Sequence, residues 1–396
     1  MLTALQETII TCHECALSVR LPVIAEGQKA ICPRCEYLLT AIHCNAVNRV
    51  LAFSVTALIF LILSLSFEFL SFSAKGLARH IDIIDSINIL IVNDYVILAI
   101  LQIIAVLVLP MLILFILLAL YLPLSRGQCP KYPQRLVRYL FMLMPWSMVE
   151  IFLIGTLISL IKIISMANIG LGPSFYCFVL FSITLTAALL HIDKQQLTTH
   201  IARLDSNFNQ NKISISSQKP DAKPDEKHHK KEASVQYTWA LLITAIIVYI
   251  PANLLPIMNT RLLGDDDPST ILGGIYLLWQ LGSYPIAIVI FIASVAVPVA
   301  KIMAMCLLNY SVQQQSQTFR LERTKLYRVT ELVGRWSMVD VFVVIVLVSL
   351  IQLGNTMSIY PGAAVLAFSG MVILTMLAAM SFNPQLIWNQ KDKYDH

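Results

Sequence analysis

Charged residues are scarce in this sequence. Asp, Glu, Lys and Arg together make up 13% of its 396 residues, against ~25% in soluble proteins. Hydrophobic residues make up 57% and the mean hydropathy is +0.74, which excludes an ordinary soluble domain. The net charge of +5 is too small to indicate binding to nucleic acid. The composition instead predicts an all-α integral membrane protein.

Motifs for catalysis and for nucleotide binding are also missing. The sequence has no glycine-rich phosphate loop, no Ser-His-Asp order and no metal site with an open position. We therefore expect neither enzymatic activity nor nucleotide binding, so that any energy used must come from a proton gradient or a partner. We expect no cleavable signal peptide either, because the first apolar run begins near residue 49 and is too long for one.

Eight apolar runs are long enough to cross a membrane, whose hydrocarbon core needs about 20 helical residues. They cover 49–72, 95–124, 147–167, 173–192, 238–258, 284–309, 337–355 and 361–382. Arg and Lys dominate the connections 121–138 and 310–335, whereas Asp residues follow the first and fifth runs. Because positively charged loops stay in the cytoplasm, the sequence predicts that both termini are cytoplasmic.

The sequence repeats itself in its two halves. Trp-Ser-Met-Val occurs at 146–149 and again at 336–339, and 9 of 17 positions are identical between 145–161 and 335–351. We interpret the chain as a tandem repeat of two four-helix transmembrane modules that run parallel. The predicted divisions are a cysteine-rich domain at 1–45, modules at 46–200 and 237–385, a flexible cytoplasmic linker at 201–236 and a cytoplasmic tail at 386–396.

Shorter segments between the apolar runs have patterns of their own. Segments 81–92 and 270–281 are apolar but too short to cross, which predicts interfacial or re-entrant helices on the side away from the cytoplasm. Segments 133–144 and 319–334 are basic and amphipathic, which predicts helices on the cytoplasmic surface. Plain loops are the alternative for all four.

Four cysteines near the N-terminus have the spacing of a zinc ribbon. Cys12 and Cys15 form one Cys-x2-Cys pair, and Cys32 and Cys35 form another after sixteen residues. Each pair can direct two thiolates at one tetrahedral ion, and four thiolates leave no open position. A cytoplasmic location disfavours disulfides, so the pattern predicts one structural zinc ion. Iron in a rubredoxin-like site is the main alternative, ahead of a redox role.

Polar residues inside the predicted spans form a second candidate site. A charged side chain costs ~3 kcal/mol or more to insert at the centre of a membrane helix, and Lys301 lies about 12 Å deep in its span. Asp340 lies just inside the next span, and Ser294, Ser337 and Thr375 fall at similar depths. We predict that these five side chains form one polar cluster. The alternative is that Lys301 extends to the membrane surface and Asp340 only caps its helix.

The second half carries motifs that mark a known family. It opens with Tyr-Ile-Pro-Ala-Asn-Leu-Leu-Pro-Ile-Met at 249–258, and Gly-Gly-Ile at 273–275 and an apolar run at 285–295 follow. Together with the ribbon and the paired Trp-Ser-Met-Val segments, these motifs make the whole chain resemble the paraquat-inducible protein A family. The resemblance implies an inner-membrane protein of double-membraned bacteria. It also implies a partner with MCE domains, whose rings form a tunnel that carries lipids across the periplasm.

The sequence departs from the family pattern in two places. Members of the family most often carry a second ribbon before the second module, where this chain has a polar linker without cysteine. The first module has Leu-Ser-Leu at 63–65 where the second has Pro-Ala-Asn at 251–253, and Ile113 stands where the second has Lys301. The second module is therefore expected to be the working half.

The leading hypothesis is a lipid-transport component that moves phospholipid between the inner membrane and a periplasmic MCE tunnel. In it, Lys301 and Asp340 bind headgroups or relay protons. A first alternative is a secondary transporter of small solutes that uses the same buried charges. A second alternative is a structural anchor that only recruits the tunnel protein, for which the buried polar residues would be dispensable.

Overall fold

The computed structural model describes a cysteine-rich ribbon followed by two helical halves. The described residues are 8–21, 24–74, 77–163, 168–204, 224–262, 265–280, 282, 284–314, 318–350 and 357–388. Most of the predicted linker, at 205–223, and the side chain of Asp340 lie outside this description.

The ribbon is built from two β-hairpins. Strand β1 (Thr8–Thr11) pairs antiparallel with β2 (Ser18–Leu21), and β3 (Lys29–Ile31) pairs antiparallel with β4 (Leu38–Ala41). One Cys-x2-Cys pair lies in each hairpin connection. A small apolar core of Leu21, Ile24 and Ile42 lies beside the hairpins. The ribbon is thus too small to rely on apolar burial alone, as expected of a metal-stabilised domain.

The first half begins directly after the ribbon. Its helices are α1 (Ala46–Ser66), α2 (Ile83–Val92), α3 (Val96–Gln102), α4 (Leu109–Ser125), α5 (Pro133–Leu143), α6 (Val149–Ile163), α7 (Pro173–Leu190) and α8 (Lys194–Leu204). A π-helical turn, Ile103–Val108, makes α3 and α4 one continuous span. The short helix α2 and the basic helix α5 confirm the helices predicted at 81–92 and 133–144.

The second half repeats this order of elements. Its helices are α9 (Pro224–Leu254), α10 (Ile271–Gln280), α11 (Tyr284–Phe291), α12 (Val297–Gln313), α13 (Arg320–Trp336), α14 (Val339–Leu350) and α15 (Ala363–Ser381). A π-helical turn, Ile292–Ala296, precedes α12, and a 3-10 turn, Pro384–Ile387, follows α15. Helices α10 and α13 confirm that 270–281 and 319–334 are helical, and their placement relative to the membrane stays a prediction.

Seven helical segments among the described residues are long and apolar enough to cross a membrane. They are Ala46–Ser66, Val96–Ser125, Pro133–Leu160, Pro173–Leu190, Ser234–Leu254, Ile292–Gln313 and Ala363–Ser381. Each overlaps one of the eight predicted runs, so a multi-pass membrane protein is confirmed. Pro133–Leu160 also includes α5, which the sequence had placed on the cytoplasmic surface outside the run 147–167. Helix α14 stands at the remaining run, but its described part has 12 residues, and 351–356 lie outside the description. The four-helix division of the second module therefore stays a prediction.

Helix α9 begins earlier than the sequence suggested. The predicted flexible linker covers 201–236, yet its last part from Pro224 onward belongs to α9 and its first residues complete α8. Proline is favoured in the first turn of a helix, and Asp225 and Glu226 suit the positive end of the helix dipole. The polar composition that suggested a linker at 224–236 therefore also fits the start of a helix.

Each half also contains a small antiparallel sheet that the all-α prediction missed. In the first half, β5 (Leu70–Ala74) lies between β6 (Leu77–Ile81) and β7 (Asn168–Leu171). In the second half, β8 (Met258–Leu262) lies between β9 (Asp265–Ser269) and β10 (Met357–Pro361). Both sheets follow the span ends that point away from the ribbon. Strands of only four or five residues leave little signal in a sequence.

The same tight backbone contact occurs in both halves. Helix α1 packs against α7 in the first half, and α9 packs against α15 in the second. Gly172 and Gly362 precede α7 and α15, and their N–H groups donate to the carbonyls of Phe69 and Ile257 at 3.1 and 2.8 Å. A Cβ atom at either glycine would collide with a backbone carbonyl in the segment that joins the first span of that half to the first strand of its sheet. Only glycine fits at these two positions.

A π-helical turn occurs at the same place in both halves. Each turn leads into a helix whose second residue is a proline, Pro110 in α4 and Pro298 in α12. Proline has no N–H and its ring crowds the carbonyl four residues earlier, and a π turn accommodates such a mismatch. Such turns often mark functional positions, and Lys301 lies one turn beyond Pro298.

The halves meet along α6 and α14, whose sequences are the repeated segments. The Phe152 and Phe342 rings pack edge-on with centroids 5.6 Å apart. Gly155 allows this approach, since a Cβ there would lie 3.0 Å from Cβ of Phe342. The Ser159 hydroxyl donates to the Val343 carbonyl at 3.2 Å. The apolar core is therefore continuous between the two halves.

Candidate metal centre and polar site

Each cysteine pair lies in a turn with the same backbone geometry. The Ala16 N–H donates to the Cys12 carbonyl at 3.0 Å, and the Glu36 N–H donates to the Cys32 carbonyl at 3.0 Å. Ala16 has φ +56° and Glu36 has φ +59°, a left-handed conformation uncommon outside glycine. The same turn is therefore built twice, once in each hairpin.

The repeated turns bring the four predicted metal ligands together. The sulfurs of Cys12, Cys15, Cys32 and Cys35 lie within 4.8 Å of one another, and all four residues are buried. Sγ of Cys12 lies 3.5 Å from Sγ of Cys35, and Sγ of Cys15 lies 3.5 Å from Sγ of Cys32. A tetrahedral ion with metal–sulfur bonds of ~2.3 Å holds its sulfurs at a comparable spacing. The donor set and its geometry fit a structural metal ion.

Burial favours the protonated form of two of these four thiols. It raises the pKa of Cys15 to about 11 and also raises the pKa of Cys35. Without a cation, both sulfurs keep their protons at neutral pH. A metal ion must displace those protons, so its binding releases protons and weakens as the pH falls.

An ion pair docks the ribbon onto α13 of the second half. Glu14, between the first two cysteines, is 3% exposed, and its carboxylate accepts from Nε of Arg328 at 2.9 and 3.0 Å. Nη2 of Arg328 also donates to the Cys35 carbonyl at 2.6 Å. The hydrogen bonds to Glu14 raise the pKa of Arg328. One guanidinium therefore contacts both cysteine turns.

The end of the chain adds a second contact between the ribbon and the second half. Trp388 packs against the cysteine cluster, and the Arg34 guanidinium lies 4.7 Å above its ring. The Trp388 indole donates to the Thr324 hydroxyl of α13 at 3.1 Å. The Gln385 amide donates to the His13 carbonyl at 3.0 Å. The start of the predicted tail is thus packed onto the ribbon.

The ribbon also contacts the first half, at the beginning of α8. The Asp193 carboxylate accepts from the Thr40 hydroxyl at 2.9 Å and from the Ala41 N–H at 3.0 Å. Gln196 exchanges two hydrogen bonds with the backbone of His43, at 3.2 and 2.9 Å. The ribbon therefore touches both halves on the same side of the molecule, called the ribbon side below.

Lys301 lies inside the protein, in the second turn of α12. The residue is 3% exposed, and its Nζ donates to the Gly334 carbonyl of α13 at 3.3 Å. A Cβ on Gly334 would lie 2.7 Å from that nitrogen, so the lysine side chain would have to move aside. The ammonium is held against a neighbouring helix instead of facing lipid.

Three other members of the predicted polar cluster are also buried: Ser294 in the π-helical turn before α12, Ser337 between α13 and α14, and Thr375 in α15. Ser294, Ser337 and Thr375 are 2%, 3% and 1% exposed. The Thr375 hydroxyl donates to the Val372 carbonyl at 2.9 Å, and the Ser337 hydroxyl has no hydrogen-bond partner among the described residues. No described hydrogen bond joins these three side chains to Lys301, and the Asp340 side chain lies outside the description. The cluster stays a prediction, supported by the burial of four members.

A polar contact between the halves escaped the sequence analysis. The Gln102 amide donates to the Ser86 hydroxyl at 3.1 Å, and Ser86 donates to the Ser349 hydroxyl at 3.0 Å. All three residues are buried, and they join α2, α3 and α14. Gln102 inside an apolar run was an available signal, because an amide is costly in a membrane span. Nothing local pointed to Ser86 or Ser349.

A comparison with models of known protein families matches most of the chain. A family model described as "Paraquat-inducible protein A" matches twice, at residues 47–202 and at 235–392. The chain belongs to the paraquat-inducible protein A family. The two matched ranges coincide with the two halves, which supports the tandem repeat inferred from sequence.

Curated relatives match over nearly their full length. "Intermembrane transport protein PqiA" of Escherichia coli K12 is 37% identical, covering 98% of this chain and 97% of the relative. "Probable intermembrane transport protein" of Haemophilus influenzae is 28% identical, covering 97% of each. "Lipophilic envelope-spanning tunnel protein A" of E. coli K12 is 27% identical, covering 96% of this chain and 90% of the relative. No solved structure gives a significant match.

Proposed function

We propose that the protein is the inner-membrane component of a lipid transport system of the bacterial envelope. It moves phospholipid between the inner membrane and a periplasmic tunnel formed by an MCE-domain partner, keeps both termini in the cytoplasm and has no catalytic activity of its own. The names of the relatives support this proposal, since they describe intermembrane transport and an envelope-spanning tunnel. The seven apolar helices supply the membrane setting.

The observation that carries the proposal is the buried lysine of α12. An ammonium has three N–H donors, and Gly334 takes one of them. The others suit the phosphate of a lipid headgroup or a proton shared with Asp340. Because a charge inside a membrane protein is expensive and typically marks a substrate or proton path, Lys301 is assigned to transport instead of stability.

Transfer of labelled phospholipid between vesicles, with the purified protein and its partner, tests the proposal. Lys301→Met should lower transfer at least tenfold at normal abundance, whereas the matched Ile113→Met in the first half should leave it unchanged. Small-solute uptake without lipid transfer would favour the solute transporter. Full lipid transfer by Lys301→Met would remove Lys301 from the mechanism, and a protein that captures its partner without moving lipid would be an anchor.

We also propose that the cysteine cage holds one zinc ion. Zinc accepts four thiolates in tetrahedral geometry with no position left for water or substrate, so when bound it supplies a cross-link between the two hairpins. Cys12, Cys15, Cys32 and Cys35 each contribute one sulfur. Metal analysis of the purified protein should give one zinc per chain. Iron would support the rubredoxin-like alternative, and two ions or none would contradict the single closed site.

A further inference from the structure

A cavity lies on the ribbon side, where the ribbon meets the first half. Its volume is about 280 Å³, room for several water molecules at ~30 Å³ each or for one phosphate-sized group. The first turn of α1, the last turn of α4, and helix α8 with the residues before it surround it. The polar side chains used below are His43, Tyr121, His191, Asp193, His200 and Arg203. We call this space the ribbon-side cavity.

The N-terminus of α1 opens into this cavity. Residues 46–48 line it, and their N–H groups precede the first intrahelical bond, which runs from the Arg49 N–H to the Asn45 carbonyl. The Asn45 side chain makes no capping hydrogen bond, and the first turn contains no acidic residue. Such a terminus presents free N–H donors and the positive end of a 21-residue helix. This is an environment that favours an anion.

A buried phenol provides a second, independent sign of a ligand. Tyr121, in the last turn of α4, is 3% exposed, lines the cavity and makes no hydrogen bond with any described residue. Its hydroxyl is not one of the enclosed polar atoms that lack a partner among the described residues, so it reaches the cavity, where water or a ligand can pair with it. The Tyr121 hydroxyl is therefore a donor kept available at the wall of the cavity.

His43 and Arg203 add further donors. Nδ1 of His191 lies 2.7 Å from the Ala187 carbonyl, which can only accept, so this nitrogen carries the proton and Nε2 of the neutral ring is an acceptor. The His43 ring faces it, with centroids 5.4 Å apart. Burial, with His191 beside it, lowers the pKa of His43, so the neutral ring offers one N–H. Arg203 stands exposed at the rim beside His200.

The two acidic residues of the cavity have other contacts or lie at its edge. The Asp193 carboxylate already accepts hydrogen bonds from Thr40, Ala41 and the Gln196 N–H. Glu26 is exposed at the rim, where it can face the amine of a zwitterionic headgroup. The cavity walls therefore combine an anion site with an apolar side formed by Val47 and Leu197.

We propose that the ribbon-side cavity binds the phosphate of a phospholipid headgroup. The free N–H groups of the α1 terminus and the Tyr121 hydroxyl hold the phosphate, and Arg203 adds charge at the rim. A lipid is favoured over a soluble phosphate because α1, α4 and α7 are membrane spans and the cavity lies at their ends, at the depth of headgroups. This inference deepens the proposed function, because it adds a place where lipid waits on the ribbon side.

Binding can be measured on the full-length protein in a phosphate-free detergent. The probes are dihexanoyl phosphatidylglycerol, dihexanoylglycerol without phosphate, and inorganic phosphate, each titrated by calorimetry. We expect saturable binding of the phospholipid only. Tyr121→Phe should weaken it about tenfold, as loss of one hydrogen bond to a charged group implies. Arg203→Gln should weaken it about threefold, and Arg49→Gln, a matched charge change one turn away, should have no effect.

The controls separate this inference from the proposed function. Lys301→Met should keep the same affinity for dihexanoyl phosphatidylglycerol even if it stops lipid transfer, so each idea can fail alone. Equal affinity of Tyr121→Phe and wild type, with unchanged metal content and thermal midpoint, would overturn the site. Equal binding of dihexanoylglycerol would show that the phosphate is not recognised. Inorganic phosphate bound as tightly as the lipid would overturn the lipid as occupant.

Discussion

Ile113 in the first half and Lys301 in the second occupy equivalent places, each three residues beyond the proline that follows a π turn. Ile113 is fully buried among apolar neighbours, and Lys301 is 3% exposed with its ammonium on a backbone carbonyl. Around them the halves agree in their π turns, their three-stranded sheets and their glycine contacts. The duplication has kept the backbone geometry of the module while the buried side chains diverged.

The ribbon shows a second difference between the halves. It is held to the first half by hydrogen bonds at Asp193 and Gln196, and to the second by the buried carboxylate of Glu14 on Arg328. Both attachments fix the same small domain. The ribbon is thus the one described element that lies outside both repeats and contacts each of them.

The largest expected effect tests what the halves share. Gly172→Ala and Gly362→Ala should each destabilise the protein by about 4 kcal/mol or more, because the new Cβ collides with a backbone carbonyl that cannot move aside. Thermal unfolding in detergent measures the loss, and Gly274→Ala is the control, since nothing lies near its Cβ. A strong effect in one half and none in the other would show that the two contacts are not equivalent.

A smaller effect is expected from exchanging the residues that differ. Ile113→Lys should cost about 3 kcal/mol, as an inserted charge in a span does, because the first half offers an apolar site. Lys301→Ile should leave the thermal midpoint unchanged or higher while lipid transfer is lost. The double variant with Ile113→Lys and Lys301→Ile should recover neither wild-type stability nor lipid transfer. Restored transfer in that double variant would mean that either half can do the work.

The attachments of the ribbon should differ by a still smaller margin. Glu14→Gln leaves Arg328 without its carboxylate and should weaken ribbon docking by about 2 kcal/mol. Asp193→Asn keeps one acceptor oxygen and should weaken it by about 1 kcal/mol. Limited proteolysis at 22–30, with metal content as the control, reports docking. A larger effect from Asp193→Asn would reverse the order of the two attachments.

The smallest effect is expected at the exposed ion pair beside this interface. Nζ of Lys325 lies 3.2 Å from the Glu36 carboxylate, with side chains 45% and 59% exposed. Such pairs contribute about 0–1 kcal/mol and weaken with salt. Lys325→Gln should leave proteolysis of the ribbon nearly unchanged at 0.15 M salt. A loss as large as that of Glu14→Gln would mean that long-range charge, and not the buried contact, holds the ribbon.

Local patterns allowed much of the fold to be predicted. The apolar runs gave seven spans, because length and hydropathy are properties of each segment alone, and the Cys-x2-Cys spacing gave the sulfur cluster. The basic helices α5 and α13 followed from their amphipathic pattern. The start of α9 was misjudged because polar composition fits both a linker and a helix terminus.

Contacts between distant residues could not be predicted in the same way. Glu14 and Arg328 are ordinary charged residues in sequence, and Ser86 and Ser349 are ordinary serines. Gly334 carries no signal that it must accommodate Lys301. The ribbon-side cavity likewise exists only because the ribbon, α4 and α8 meet, and Tyr121 gave no hint in a run of apolar residues.

The ribbon contacts residues that are translated long after the ribbon itself. Glu14 and Arg328 are 314 residues apart, and His13 and Gln385 are 372 apart. A ribosome adding about 5–20 residues per second needs tens of seconds between the two members of each pair. The ribbon therefore leaves the ribosome long before its docking site on α13 has been translated. The ribbon can dock onto the second half only after α13 has been translated. A chain that ends before Arg328 lacks this docking contact.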